Sequence, residues 1–281
     1  MAKKGIVGGP LIPSAAIAQD FERTILTLIR KMCQETKREL TAMFEHPGYA
    51  LDDKGGPIEE GNPASRARII LNGLMNKYDP LFRKWAKKAA RRMVDRNLTH
   101  STGQLKKSLK EMGKAMTVRP DFMSDRLREI TVASANEAAE LIRLIPQKYL
   151  GEVAGATMRS ITSGNGMEDL IPFLNEKYGQ NIRHARNVAH DQTRKTFTAI
   201  TTERVKAAGI TEFVWKHSHG GRHPRKLHQE LDGKTFRYDD PPYIGDMYGK
   251  KVFGLPNDLP NCHCFARPVL NFGEKDDDSE K

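Results

Sequence analysis

The sequence predicts an α+β protein: a helical N-terminal region followed by a small, loop-rich α+β C-terminal domain with short strands. Three observations predict it. Apolar residues recur at spacings of three and four from about residue 14 to residue 208, the period of amphipathic helices. That period stops at Gly209, and the strand-like run Phe213-Val214-Trp215 follows. From there to residue 268, Gly, Pro, His, Asp and Tyr dominate, as expected of short strands joined by turns. The division is residues 1–145, a helical region; 146–272, a compact α+β domain; and 273–281, a short acidic tail expected to be disordered.

The elements follow in order. Residues 14–45 read as one long helix, on Ile17, Phe21, Ile25, Leu28 and Met32, with Ser14 as its N-cap. Cys33 lies on it as a small core residue. His46-Pro47-Gly48, Gly55-Gly56-Pro57 and Asn62-Pro63 make 46–63 a loop. Helices are expected at about 65–77, 80–97, 101–115 and 121–144. Asp79-Pro80 reads as a helix start, and Pro120 and Pro146 as breaks. Residues 149–162 are helical, and Ser163-Gly164-Asn165-Gly166 is a turn. A short helix over 167–178 stops at Gly179. An amphipathic helix over 181–208 ends at Gly209, placed as a left-handed C-terminal cap. Asp232-Gly233 is a strong turn dipeptide and predicts a hairpin over 229–238, with His228 on its first arm and Phe236 on its second.

Composition narrows the function classes. The 281 residues contain three Cys, too few for a disulfide scaffold, which points to a reducing compartment. No apolar run approaches the roughly 20 residues that a membrane helix needs. The N-terminal apolar patch is short and broken by Gly8, Gly9, Pro10 and Pro13, a poor signal peptide. The expected location is a cytoplasm, or a particle assembled in one.

The net charge of +11 is unevenly spread. Residues 77–119 hold thirteen Lys and Arg against three Asp and Glu, and 182–237 hold twelve against five. Charge in two blocks fits a polyanion or an acidic protein surface. On the helix at 80–97, Lys84, Lys87, Lys88, Arg91 and Arg92 fall on one half of the cylinder with Arg83. Phe82, Trp85, Ala86, Ala89, Ala90 and Met93 fall on the other, the half expected to pack. Only Asp95 interrupts the positive sign, whereas a solubilising face mixes signs. Lys106, Lys107, Lys110 and Lys114 extend the block. Sequence-independent binding of double-stranded DNA through Lys84, Lys87, Lys88, Arg91 and Arg92 is the expectation.

His217, His219, His223 and His228 lie close together, and Cys262-His263-Cys264 follows. Two thiolates and one or two imidazoles make a tetrahedral zinc site. The preferred ligands are Cys262, Cys264 and His228, with His223 or His263 as the fourth. Cys-x-Cys is tighter than the usual finger spacing, so the alternative is free thiols and a His228 hydrogen-bonded within the fold. A loop-rich region with few large apolar residues gains from a metal staple.

Arg225, His228, Leu231-Asp232-Gly233-Lys234 and Phe236, a Gly/Pro-rich stretch, then Pro260-Asn261-Cys262-x-Cys264, together resemble the phage Mu F-like head morphogenesis family. Ile145-Pro146, the Gly turn at 164–166, Arg183 and Arg186, Gly209-Ile210 and Trp215 fit the same pattern, so the resemblance covers roughly 146–268. One departure is His263, where the family usually has Arg between the cysteines. The resemblance implies a low-copy minor capsid protein of a tailed phage. It would sit in the head interior after assembly in the host cytoplasm, with no membrane contact during assembly. Its partners would be the portal protein and packaged DNA, with a scaffold or major capsid protein as a further one. Its work would be head assembly or DNA delivery, without catalysis.

Two other readings compete. A nuclease would use His228 with Arg225, Lys234 or His223, since phosphodiester cleavage needs a base, an acid and cations. In an extended segment Arg225 and His228 point to opposite faces; in a helix the i,i+3 spacing brings them together and favours the nuclease. A zinc-dependent DNA-binding regulator is the third reading, against which stands the lack of a helix-turn-helix or repeated-finger pattern.

Overall fold

The computed structural model describes residues 5–45, 62–113, 123–220 and 224–271. The expected loop before residue 62, Lys114, Pro120, His223 and the acidic tail lie outside them. The architecture is α+β, with long helices to Ala207 and short antiparallel strands after it.

A two-residue strand β1 (Ile6–Val7) precedes helix α1 (Ala15–Phe44). Ser14 Oγ accepts the Ile17 N–H at 3.4 Å, the expected N-cap. Helix α2 (Pro63–Glu111) is one 49-residue helix where three were expected. Asn62 Oδ1 caps it by accepting the Ala64 N–H at 2.9 Å. Pro80 lies inside α2 rather than at a helix start, and its missing N–H costs one backbone bond. Neighbouring contacts hold the turn: Tyr78 and Phe82 are fully buried, and Asp79 pairs with Arg83 at 2.8 Å and accepts from Gln147 at 2.8 Å.

Helix α3 (Asp125–Arg143) is capped by Ser124 Oγ on the Leu127 N–H at 3.1 Å. Helix α4 (Ile145–Ser163) begins at once after Leu144. Pro146 therefore opens a helix, where a missing N–H is harmless, rather than breaking one. Gly164, at φ 77°, ends α4. Helix α5 (Met167–Ala207) runs through Pro172 and Gly179 without a stop. Side-chain bonds from Lys177 to Gln180 and from Gln180 to Glu176 bracket Gly179. Gly209 takes φ 75° and closes α5 as expected, with the Ile210 N–H on the Val205 carbonyl.

The chain divides into two compact units. Gln19–Arg92 with Ala135–Ala189 form one unit, whose described elements are helices. Its buried side chains include Ile25, Ile29, Met32, Tyr78, Phe82 and Tyr149. Met1–Ala18, Met93–Ser134 and His190–Lys281 form the other, which holds all the strands.

In that second unit, β2 (Glu212–Lys216) and β6 (Phe265–Leu270) are the inner strands of a four-stranded sheet of order β1-β6-β2-β3. Strand β3 (Thr235–Arg237) forms one edge. β2 and β6 run antiparallel, with Trp215 opposite Ala266 and Lys216 opposite Phe265. Strands β4 (Tyr243–Met247) and β5 (Lys250–Phe253) make a separate hairpin. Its turn residues Tyr248 and Gly249 both have positive φ, as such hairpins require. Phe213 and Trp215 from β2 join Leu105, Leu109, Phe197, Val205 and Ile244 in one core cluster, and Cys262 and Cys264 belong to it.

The expected hairpin over 229–238 is absent. His228 lies instead on a short helix, α6 (Lys226–Glu230), and β3 takes β2 as its partner. Asp232-Gly233 still turns the chain, with Gly233 at φ 78°. The Gly233 N–H donates to the Trp215 carbonyl at 2.8 Å, and the Trp215 N–H to the Lys234 carbonyl at 2.9 Å.

Candidate metal centre

Cys262 and Cys264 sit just before β6 and alternate with an exposed His263. In extended chain, residues two apart share a face. Both thiols therefore point into the core, each 3% exposed. The tight Cys-x-Cys spacing suits a strand, where a wider spacing suits a finger's turn.

His228 comes to them from α6. Its Nδ1 lies 3.6 Å from Cys262 Sγ and 3.7 Å from Cys264 Sγ. All three donor atoms fall within 4.8 Å of one another. Zinc bonds of about 2.3 Å to sulfur and 2.0–2.1 Å to nitrogen, at a tetrahedral angle, put N and S about 3.6 Å apart. The other ring nitrogen is already committed. His228 Nε2–H donates to the Ile244 carbonyl at 3.0 Å, which leaves the Nδ1 lone pair aimed at the sulfurs. Backbone carbonyls commonly orient metal-bound imidazoles in this way. The Trp215 ring stands edge-on to His228 at 5.3 Å and fixes its plane.

The sulfurs are electrostatically prepared. The Cys264 thiol and the Asn257 N–H, which donates to Sγ at 3.4 Å, hold the Cys262 thiol well below its ordinary range. Cys264 is pushed up, first by donating to Cys262 and then by burial. Cys262 therefore gives up its proton more readily than Cys264. The buried indole N–H of Trp215, which meets no other acceptor among the described residues, favours charge on Cys264. Two buried sulfurs and one correctly oriented imidazole form a donor set that could bind a metal ion.

The surrounding motif holds this set in place. Arg225, the extended residue before α6, donates from its guanidinium to the Pro260 carbonyl at 2.9 Å. Arg225 and His228 thus reach the same cysteine loop three residues apart, by different atoms. Asp232 Oδ1 accepts the His217 N–H at 2.9 Å and pairs with Lys216 at 3.0 Å. Gly233 supplies the left-handed turn, and Lys234 is exposed and contributes its carbonyl.

Sequence reasoning missed the clamp from α5. Asp191 accepts the Asn261 N–H at 2.9 Å, and Arg194 donates to His263 Nδ1 at 3.2 Å. Thr198 accepts from Asn257 Nδ2 at 3.0 Å and donates to the Pro256 carbonyl at 3.1 Å. Positions 191, 194 and 198 share one helix face, a polar stripe at spacings of three and four that was visible in the sequence. The same geometry removes His263 as a fourth ligand: it sits on the face opposite the thiols and is engaged by Arg194.

The basic face of α2 lies apart in sequence. Lys84, Lys87, Lys88, Arg91 and Arg92 are all exposed. Arg92 pairs with Asp20 at 3.2 Å. Trp85, expected to pack, is 41% exposed, while Phe82, Ala86, Ala89, Ala90 and Met93 are buried. Trp85 falls where the buried stripe meets the basic arc, and the stripe is too narrow to cover it. Lys106, Lys107 and Lys110 are exposed as well.

Residues 151–267 match the family model described as phage Mu protein F like protein. An uncharacterized protein of Haemophilus influenzae is 27% identical over 217 residues, 77% of this chain and 42% of that protein. A protein of Enterococcus faecalis named NAD(+)–arginine ADP-ribosyltransferase EFV is 26% identical over 133 residues, 44% of this chain and 27% of that protein. The chain therefore spans less than half the length of either relative. No solved structure matches. The matched span contains Arg225, His228, the Asp232-Gly233 turn, Cys262 and Cys264, so the motif and the cluster it builds lie within the region that is similar to phage Mu protein F.

Proposed function

We propose that this protein is a minor capsid protein of a tailed phage, acting in head morphogenesis from inside the particle by binding the portal and packaged DNA. The observation that carries the reading is the match of residues 151–267 to the Mu F-like family. The exposed cations of α2 support the DNA contact. Zinc, held by His228, Cys262 and Cys264, staples the loop-rich end of the matched region. The metal's work is structural: it joins α6 to the segment before β6 and so replaces hydrophobic area that this end lacks.

The protein works by position and not by catalysis. The helical setting of His228 favours a nuclease on spacing alone, but its ring is 3% exposed and both nitrogens face protein atoms. Arg225 is engaged by Pro260. With His228 buried and Arg225 exposed, the two side chains do not meet at a shared surface where they could act on one phosphate. The ADP-ribosyltransferase name belongs to a relative of which the matched stretch is 27%, and it is not carried over.

Cryo-electron microscopy of intact particles tests the placement. Density for this chain at the inner face of the portal vertex is expected. Particles that form, package and infect normally without the chain would contradict it. Incubating the purified protein with DNA and RNA, with Mg²⁺, with Mn²⁺ and with neither, tests the second claim. No cleavage is expected, and cleavage lost in His228→Ala would establish the nuclease instead.

A further inference from the structure

We propose that His217 is the fourth protein ligand of this centre, closing it as a site of two thiolates and two imidazoles, with His219 and Asp232 as its outer support. The inference rests on the reading of His228, Cys262 and Cys264 as metal ligands.

The strand register places His217 there. In the β2–β6 pair, Trp215 faces Ala266 and Lys216 faces Phe265. One step further along the same register sets His217 opposite Cys264. Side chains alternate along β2 and into the residue that follows it: Phe213, Trp215 and His217 are buried, and Val214 and Lys216 less so. His217 therefore shares the inner face with Trp215, whose ring already packs on His228. His217 is 8% exposed, an unusual place for an imidazole without a task. Its donor atoms stand outside the group of three that lie within 4.8 Å of one another, so closing the site requires the ring to turn inward. Among the described residues, the other histidines of the region do not compete. His219 is exposed, and His263 is on the outer face and engaged by Arg194.

The outer support is assembled. His217 Nδ1 lies 3.4 Å from His219 Nδ1, and the two rings meet edge to face at 4.7 Å. His219 Nε2 lies 3.7 Å from Asp232 Oδ2. The His219 N–H also donates to His217 Nδ1 at 3.1 Å. When Nε2 of His217 binds metal, its proton resides on Nδ1. That proton then donates to His219 Nδ1, the His219 backbone bond is given up, and Asp232 steadies the far side of His219. This is the carboxylate–histidine–metal arrangement extended by one imidazole.

The full chain, loaded with Zn²⁺ and separately with Co²⁺, provides the test. Zinc-edge X-ray absorption should show two sulfurs and two imidazoles in the parent protein. His217→Ala should halve the imidazole scattering and weaken Co²⁺ binding at least ~10-fold. His263→Ala should change neither. His217→Cys guards against a misfolded alanine variant: the Co²⁺–thiolate charge-transfer band should rise by about half as two thiolates become three. A parent spectrum with one imidazole, or an unchanged band in His217→Cys, overturns His217 as ligand and leaves the three-residue site standing. A parent protein that binds neither metal overturns the three-residue site and this inference together.

Discussion

His228 shows how one residue can settle a site that spacing left open. Its Nε2–H is taken by the Ile244 carbonyl, so the only free lone pair points at two sulfurs. The motif residues around it act through backbone geometry. Gly233 has open space where a Cβ would stand, so its cost on mutation is conformational alone. Gly233→Ala should destabilise the protein by about 1–2 kcal/mol, readable in urea denaturation, because φ 78° is unfavourable for an L side chain. A loss of less than half that would mean that the turn re-forms another way. Proton bookkeeping gives a further expectation. Metal binding must deprotonate Cys264, whose thiol is pushed up, so affinity should rise steadily from pH 6 to pH 8 with proton release on binding. A competition titration with a chromophoric chelator reads this, and a flat profile would mean that both sulfurs are already ionised.

At the scale of elements, capping and periodicity were legible and continuity was not. Ser14 and Gly209 bound their helices where the sequence places them. Asp79-Pro80 reads as a helix start and Gly179 as a stop, yet α2 and α5 run through them. A local breaker costs a few kcal/mol at most, and burial of Tyr78, Phe82 and their neighbours on both sides outweighs it. Pro80→Ala should therefore stabilise the protein, by about 1–3 kcal/mol, in a thermal melt. No gain in melting temperature would show that the helix had already adapted to the proline. The cysteine spacing was misjudged for a related reason. Cys-x-Cys is too tight for a finger turn, but it suits a strand entrance, and the strand was not foreseen there. His228 failed in the opposite sense: the Asp-Gly turn was right, but the segment before it is a helix and not a hairpin arm. Short elements of five residues carry too few periodic positions to distinguish the two.

At the scale of the molecule, the family was legible from a pattern spread over a hundred residues, and the reason for that pattern was not. Arg225, His228, Asp232-Gly233 and the cysteines are far apart in sequence and converge on one loop. The basic block was legible as charge, but its pairing was not. Arg92 is held by Asp20, which leaves Lys84, Lys87, Lys88 and Arg91 as the cations most available to phosphate. Duplex DNA binding by these four predicts a log–log salt slope near −4, at about −0.9 per neutralised phosphate. Charge reversal of Lys84 and Lys88 should bring the slope toward −2. A slope unmoved by those substitutions would assign the face to a protein partner.

The central claim is that a metal staples the Mu F-like region, and metal content measured together with chelator sensitivity tests it most directly. The purified full chain should carry one zinc per molecule, and stripping it should lower the melting temperature by several degrees, as should Cys262→Ser. Metal at background level, with a melting temperature indifferent to the chelator, would contradict the account and leave His228, Cys262 and Cys264 as a hydrogen-bonded core cluster.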